Sequence, residues 1–161
     1  MFAAMFAAGP LPDLLLSLPP AAAAAWPRRS VGGRPAFVAS DPPGSQLGSG
    51  GGTAHLLLQA WRASGAPSFA AWLGAAPRIL MHGSGQSRRL PAYAAEGKPL
   101  LPLPLLPDVA GQAPGQRLLD AQLQLCHRLF AHAPASARLM VACGDVLLRD
   151  DQTLPRIPEA D

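Results

Sequence analysis

The chain contains the short apolar run Arg78-Ile79-Leu80-Met81-His82, which leads directly into the loop Gly83-Ser84-Gly85-Gln86-Ser87-Arg88-Arg89-Leu90-Pro91. The run is too short for a buried helix and lacks the polar and apolar alternation of a half-exposed strand, so it predicts a strand covered on both faces. Residues 35–40 and 138–143 have the same properties. We therefore expect a buried parallel sheet in which the centres of these three runs, residues 37–39, 79–81 and 139–141, form neighbouring strands.

Two longer segments carry apolar residues at helical spacing. Residues 53–64 form such a stripe, and we expect Thr53 to cap the helix and Gly65 to end it. Residues 116–132 repeat the pattern until Pro134 stops it. Strands that alternate with helices are typical of the α/β class, so the sequence predicts a parallel sheet with right-handed crossover helices.

The composition is that of a folded domain. Of 161 residues, 49% are hydrophobic and 14% are charged, which excludes a disordered polar chain and allows one core. The net charge is +3, and the adjacent basic pairs are Arg28-Arg29 and Arg88-Arg89, so a nucleic-acid-binding face is not indicated. Cys126 and Cys143 form no CxxC motif, which speaks against a disulfide framework or a zinc site and favours a cytoplasmic location.

Residues 1–34 are interpreted as an apolar, proline-rich lead-in to a domain over residues 35–161. The first 25 residues are apolar, but prolines interrupt them and the first basic residue is Arg28. A secretory signal needs a basic start and an unbroken apolar centre, and a membrane span needs about 20 apolar residues. We therefore expect neither a signal peptide nor an association with the membrane.

A glycine-rich loop, Gly44-Ser45-Gln46-Leu47-Gly48-Ser49-Gly50-Gly51-Gly52-Thr53, follows the first predicted strand and precedes the first predicted helix. Glycines let the backbone approach a ligand closely, and the N–H groups at a helix start attract phosphate. The loop therefore predicts an anion site, although it lacks the lysine of a Walker A motif. A plain flexible turn is the alternative.

The loop after the second predicted strand adds positive charge. Arg89 offers a planar fork for phosphate oxygens, and Lys98 offers a compact charge. Asp145 follows the third predicted strand, where a carboxylate can bridge Mg²⁺ to nucleotide phosphates. The alternatives are solvated basic side chains and a turn aspartate. Because the carboxyl ends of parallel strands share one edge of a sheet, we expect the three loops to converge.

Three segments also carry a family resemblance. They are residues 40–53, residues 82–91 with Tyr93, Gly97 and Lys98, and the triplet Gly144-Asp145-Val146. Together they resemble the N-terminal nucleotidyltransferase segment of bifunctional fucokinase/L-fucose-1-phosphate guanylyltransferases, from about residue 14 to residue 149. The resemblance implies a fragment, an incomplete Rossmann-like nucleotidyltransferase domain, because these enzymes continue into a β-helix and a sugar kinase domain.

The resemblance also implies roles for individual residues. Residues 83–91 with Lys98 are similar to the sugar-nucleotide pyrophosphorylase signature, in which small residues, an arginine and a lysine surround a triphosphate. Arg89, Lys98 and Asp145 are then catalytic, and Asp145 also holds Mg²⁺. The implied nucleotide-binding residues are Gly48, Ser49, Gly50, Gly51, Gly52, Thr53, Gly83, Gly85, Gln86, Ser87 and Arg88. Ser84 and Ser87 stand where the broader signature has glycines.

The implied reaction joins GTP and L-fucose-1-phosphate to give GDP-L-fucose and pyrophosphate, with a kinase domain downstream in the parent chain. A pyrophosphorylase for another sugar-1-phosphate, such as mannose or a heptose, and an inactive nucleotide-binding fragment remain the alternatives. His82 ends a predicted buried strand and Cys143 adjoins Gly144, so both are interpreted as packed residues and not as reactive ones.

Overall fold

The computed structural model describes residues 12–26, 36–84, 91–95, 97–104 and 114–146. Within these ranges the strands form one sheet, and they are β1 (Asp13–Ser17), β2 (Ala36–Ala39), β3 (Arg78–His82) and β4 (Leu139–Cys143). Their order across the sheet is β2-β1-β3-β4, and every neighbouring pair is parallel. The helices are α1 (Pro20–Ala25), α2 (Gly48–Ser64), α3 (Phe69–Ala75) and α4 (Leu118–Ala131). The predicted α/β class with a parallel sheet is confirmed.

The centre of the sheet is a strand that the sequence did not predict. β1 lies inside the segment interpreted as a lead-in, and Leu15 is paired with both Phe37 of β2 and Leu80 of β3. The expectation that β2 and β3 are neighbours is therefore wrong, while the neighbourhood of β3 and β4 is confirmed. Prolines on both sides of Asp13–Ser17 made this segment resemble irregular structure, but each proline lies outside the strand and costs it no hydrogen bond.

Helices cover the two faces of the sheet unequally. On one face α1 and α4 pack against Leu16, Ile79 and Met81, which are all fully buried. On the other face α2 and α3 pack against Leu15 and Leu80. Two-sided burial explains why β1 and β3 are apolar without alternation.

Both predicted helices exist, but one begins earlier than expected. α4 closely matches residues 116–132, and its buried stripe includes Leu119, Leu123 and Cys126. α2 begins at Gly48, so Thr53 lies inside the helix and does not cap it. Gly65 ends α2 with a φ of 70°, as predicted, because glycine adopts this left-handed conformation without steric cost. No helix in the described part of the chain is both long and apolar enough to cross a membrane.

The proline- and leucine-rich segment after Lys98 packs onto the sheet. Lys98–Leu100 forms a 3₁₀ turn in which Pro99 and Leu100 are buried. Leu100 joins the cluster around Leu16 and Met81. Gly144 packs so tightly against this turn that a Cβ atom there would overlap Pro99 and the carbonyl group of His82.

We expect Gly144→Ala to lower the free energy of unfolding by about 1–3 kcal/mol, because the added methyl group has no space. Gly74→Ala is a matched control, since Gly74 lies in α3 with no atom within 4 Å of an added Cβ. That change is expected to raise the free energy of unfolding by about 0.5–1 kcal/mol through helix propensity. Urea denaturation measures both, and equal effects of the two substitutions would contradict the packing at Gly144.

Candidate functional site

A cleft of about 500 Å³ opens at the carboxyl edge of the sheet. The chain leaves β1, crosses to β2 on one side and later returns past β1 to β3, so the winding direction reverses at this edge. Ligands of open α/β sheets bind at such reversals. The cleft is lined by residues at the ends of the strands and in the loops that follow them. They include Leu18, Asp41, Gly48, Ser49, His82, Gly83, Ser84, Lys98, Cys143 and Asp145.

Lys98 and Asp145 meet in this cleft. The Lys98 Nζ atom lies 2.6 Å from Asp145 Oδ2, and the Cys143 thiol donates to Asp145 Oδ1 at 2.8 Å. These bonds from Cys143 and then Lys98 lower the pKa of the Asp145 carboxyl. The same carboxylate raises the pKa of the Cys143 thiol, because it accepts a hydrogen bond from the protonated form. At neutral pH the cluster therefore holds the Asp145 carboxylate and a neutral Cys143 thiol beside Lys98.

Cys143 is exposed, so its interpretation as a core residue is wrong. β4 is the last strand of the described sheet on its side, and Val141 on the same face is 51% exposed. α2 and α3 pack on this face over Leu15 and Leu80, and their cover does not reach the end of β4. The apolar run does form a strand, but an apolar pattern does not show how far α2 and α3 extend over that strand.

Gln122 holds the turn that carries Asp145, and the sequence analysis assigned no role to this residue. It lies on α4 and is buried, with a relative exposure of 4%. Its Nε2 atom donates to the carbonyl oxygens of Val146 at 2.7 Å and Cys143 at 3.3 Å. These two carbonyls bracket Asp145 in the chain. An amide on the buried stripe of a helix, between Leu119 and Leu123, was the available signal, because a buried polar group needs partners.

His82 and Thr53 form a second polar contact at the cleft. His82 is half-buried and lines the cleft, with its Nε2 atom 2.7 Å from Thr53 Oγ1. Burial lowers the pKa of His82, although the negative charge of Asp41 opposes the shift. Thr53 Oγ1 also donates to the carbonyl oxygen of Ser49 at 2.8 Å. His82 is thus packed, as predicted, but it also presents part of its ring to the cleft.

The first glycine-rich segment is partly helical. Gly48 and Ser49 line the cleft, Gly50 and Gly51 are exposed on the first turn of α2, and Gly52 is buried beneath His82. The Asp41 carboxylate accepts the N–H of Leu47, the residue that precedes the helix, at 3.2 Å. The segment therefore reaches the cleft, and Asp41 binds the backbone directly before its helix.

The second loop is described only at its beginning. Gly83 packs tightly, since an added Cβ would lie 2.8 Å from both Leu18 Cδ2 and Pro99 Cγ. The Ser84 hydroxyl lies 2.7 Å from that of the buried Ser17, which gives the serine at this position a structural contact. The remaining predicted residues of the loop lie outside the described residues, and they are Gly85, Gln86, Ser87, Arg88 and Arg89.

The donor set at Asp145 fits Mg²⁺ that arrives with a nucleotide better than a site made by the protein alone. Among the described residues no group of three or more His, Cys, Asp or Glu side chains could hold a metal ion. Mg²⁺ needs one or two carboxylates when phosphate oxygens and water complete its shell. A single carboxylate that now pairs with an ammonium is compatible with that arrangement.

The Cys143 thiol reports on the cluster directly. We expect Asp145→Asn to lower the pKa of Cys143, because the thiolate no longer faces a carboxylate while the positive charge of Lys98 remains. Alkylation of Cys143 by iodoacetamide at pH 7.5 then becomes faster, which peptide mass spectrometry distinguishes from alkylation of the buried Cys126. Cys126, which lies on α4 away from Asp145, is the internal control, and we expect its alkylation rate to stay the same. An unchanged pH–rate profile in Asp145→Asn would disprove the contact.

Comparison with known proteins gives one informative relative. An L-fucokinase/L-fucose-1-P guanylyltransferase from Bacteroides fragilis is 46% identical to this chain over 126 residues. The match covers 78% of this chain and 13% of the relative, so the chain spans about an eighth of the relative's length. No protein-family model matches the chain. No solved structure matches it either.

Overall sequence identity to this relative supports the family resemblance. That resemblance was first noted in the glycine-rich loop, the loop after β3 and the Gly144-Asp145 turn. Nearly half of the aligned residues are identical across more than three quarters of the chain. The chain belongs to the L-fucokinase/L-fucose-1-P guanylyltransferase family.

Proposed function

We propose that this chain forms part of a nucleotidyltransferase site that transfers a guanylyl group from GTP to L-fucose-1-phosphate. The observation that carries the proposal is the meeting of Lys98 and Asp145, from loops far apart in sequence, in a cleft at the carboxyl edge of the sheet. Family membership supports the choice of reaction, since the Bacteroides fragilis relative is an L-fucokinase/L-fucose-1-P guanylyltransferase.

In the proposed reaction a phosphate oxygen of the sugar phosphate attacks the α-phosphorus of GTP. The bond from the α-phosphorus to the oxygen that bridges it to the β-phosphate breaks, and pyrophosphate leaves with the electron pair. Such transfer needs little covalent participation by side chains. Catalysis depends on holding the reactants in line and on neutralising negative charge.

Lys98 and Asp145 are suited to this task because their present contact is exchangeable. The ion pair is partly exposed, with side-chain exposures of 34% and 40%, and such pairs are weak in water. A triphosphate offers the Lys98 ammonium several oxygens in place of one carboxylate. Asp145 would then be available to hold Mg²⁺, which supplies further neutralisation of phosphate charge. We also assign Arg89 to the triphosphate, on the resemblance of its loop.

The parent protein is proposed to carry a second activity. The relative is named for a fucokinase as well as a guanylyltransferase, and this chain matches 13% of it. A kinase that makes L-fucose-1-phosphate from L-fucose would supply the substrate of the cleft described here. The two active sites would then be separate, which allows substitutions in the cleft to affect one reaction only.

In the full-length parent protein we expect Arg89→Ala, Lys98→Ala and Asp145→Ala each to reduce kcat for guanylyl transfer about 100- to 1000-fold, as loss of one preorganised charge-stabilising group does. Pyrophosphate release from GTP and L-fucose-1-phosphate measures the effect. Arg89→Lys is expected to restore only part of the activity, because an ammonium lacks the planar fork.

Phosphorylation of L-fucose on the same purified variants is the internal control, and we expect it to stay at the unsubstituted level. Undiminished guanylyl transfer in the three alanine variants would refute the assigned roles. Equal loss of both reactions would indicate misfolding and would leave the cleft without support as the transferase site.

A further inference from the structure

We propose that Gln122 is a positioning residue of the nucleotidyltransferase site, which keeps the Asp145 carboxylate in place when Lys98 turns from it to a phosphate. This inference rests on the proposed function, since it concerns the same two charged side chains. Gln122 lies on α4 and bonds the backbone next to Asp145, so its effect on the reaction passes through that backbone. Three features of the structure lead to the inference.

The first feature is that the contacts of the Asp145 carboxylate itself are open to exchange. Its Oδ2 atom pairs with the Lys98 ammonium, and its Oδ1 atom accepts a hydrogen bond from the Cys143 thiol. The ion pair is partly exposed, and a thiol is a weak donor. In the proposed reaction Lys98 turns to the triphosphate, so one of these contacts is lost when Asp145 is needed. The position of the carboxylate then depends on the backbone that carries it.

The second feature is that the backbone on both sides of Asp145 is held by hydrogen bonds. The Gly144 N–H donates to the carbonyl oxygen of the last residue of β3 at 2.8 Å, which ties the turn to the sheet. Gln122 Nε2 donates to the carbonyl oxygens of Cys143 and Val146, which ties the turn to α4. Because the two bonds from Gln122 span Asp145, they restrict the direction in which its side chain leaves the turn.

The amide of Gln122 is chemically suited to hold two carbonyl groups. A carbonyl oxygen can only accept, and the NH₂ group of glutamine carries two hydrogens on one atom. The residue is 4% exposed, so water hardly competes for these bonds. Its Oε1 atom is buried and accepts no hydrogen bond from the described residues. Because a buried polar atom without a partner is costly, the amide has to be justified by the two bonds that it donates.

The third feature is that α4 is also bonded to the segment that carries Lys98. The Leu118 N–H, in the first turn of α4, donates to the Leu101 carbonyl oxygen at 2.9 Å, and Leu101 lies shortly after Lys98 in the chain. Gln122 follows Leu118 by one helical turn. One helix therefore holds the Lys98 segment with its first turn and the Asp145 turn with its second, which keeps the two charged side chains within reach of each other.

Gln122→Met tests this role in the full-length parent protein, because methionine has nearly the same size but no donor. We expect kcat for guanylyl transfer to fall about 10- to 100-fold, as when a group that orients a metal ligand is removed. The Mg²⁺ concentration that gives half-maximal transfer is expected to rise, while phosphorylation of L-fucose stays at the unsubstituted level. Gln122→Glu keeps the shape but, when ionised, turns acceptors toward both carbonyls, so we expect a loss at least as large.

A double substitution shows whether Gln122 acts through Asp145. Asp145→Ala removes the carboxylate, and adding Gln122→Met to it is expected to reduce kcat no further, because nothing is left to position. Two losses that multiply would overturn the inference. Leu123→Ala is the matched control, since it removes core packing from the same helix without removing a hydrogen bond. We expect it to lower the free energy of unfolding and to leave kcat for guanylyl transfer unchanged.

Hydrogen exchange in the absence of Mg²⁺ and nucleotide gives a measurement that does not depend on activity. In Gln122→Met we expect the Gly144 amide to exchange about tenfold or more faster while the amides of β3 keep their rates, because the turn opens locally. In Leu123→Ala the turn and β3 are expected to change together. Equal acceleration of the turn and β3 in Gln122→Met would mean that Gln122 supports overall stability alone, and it would overturn the inference.

The outcomes separate this inference from the proposed function. Full guanylyl transfer in Gln122→Met, with the expected loss in Asp145→Ala, would overturn the inference and leave the proposed function standing. Full transfer in Asp145→Ala would overturn both. If Gln122→Met loses L-fucose phosphorylation as well and is therefore misfolded, Gln122→Asn takes its place. Its amide is one methylene shorter and is expected to lose at least one of the two bonds, so unchanged transfer in that variant would overturn the inference.

Discussion

The parallel pairing of β1 with both β2 and β3 organises the whole fold. β1 contributes Leu15 to one face of the sheet and Leu16 to the other, and both are buried. A strand with apolar side chains on both faces is stable only if helices shield both faces from water. The positions of α1 and α4 on one face and α2 and α3 on the other follow from this requirement.

The same pairing places the chemistry at one edge. All strands of the described sheet are parallel, so they end at the same side of the sheet. The loop that follows each strand contributes residues to the cleft. Packing at this edge is tight, since Gly83 and Gly144 both lie against Pro99 with no space for a side chain. The core and the site are therefore in direct contact, since Gly144 immediately precedes Asp145.

The electrostatics of the cleft come from a few side chains held by neutral hydrogen bonds. Gln122 holds the turn around Asp145 through two backbone carbonyls, and the Thr53 hydroxyl contacts the His82 ring. Neither residue is charged, and Gln122 helps to set the position of the Asp145 carboxylate through neutral hydrogen bonds alone.

Local sequence patterns were enough to predict β3, β4, α4 and the position of Asp145 at the carboxyl edge of the sheet, because continuous apolar runs and helical periodicity are local properties of the chain. They did not determine β1, since flanking prolines hid the strand. Three features became visible only in three dimensions: the exposure of Cys143, the contact of Asp41 with the Leu47 N–H before α2, and the support of Asp145 by Gln122. These facts depend on which elements lie side by side in space, and contacts between residues distant in sequence leave no periodic pattern in either segment.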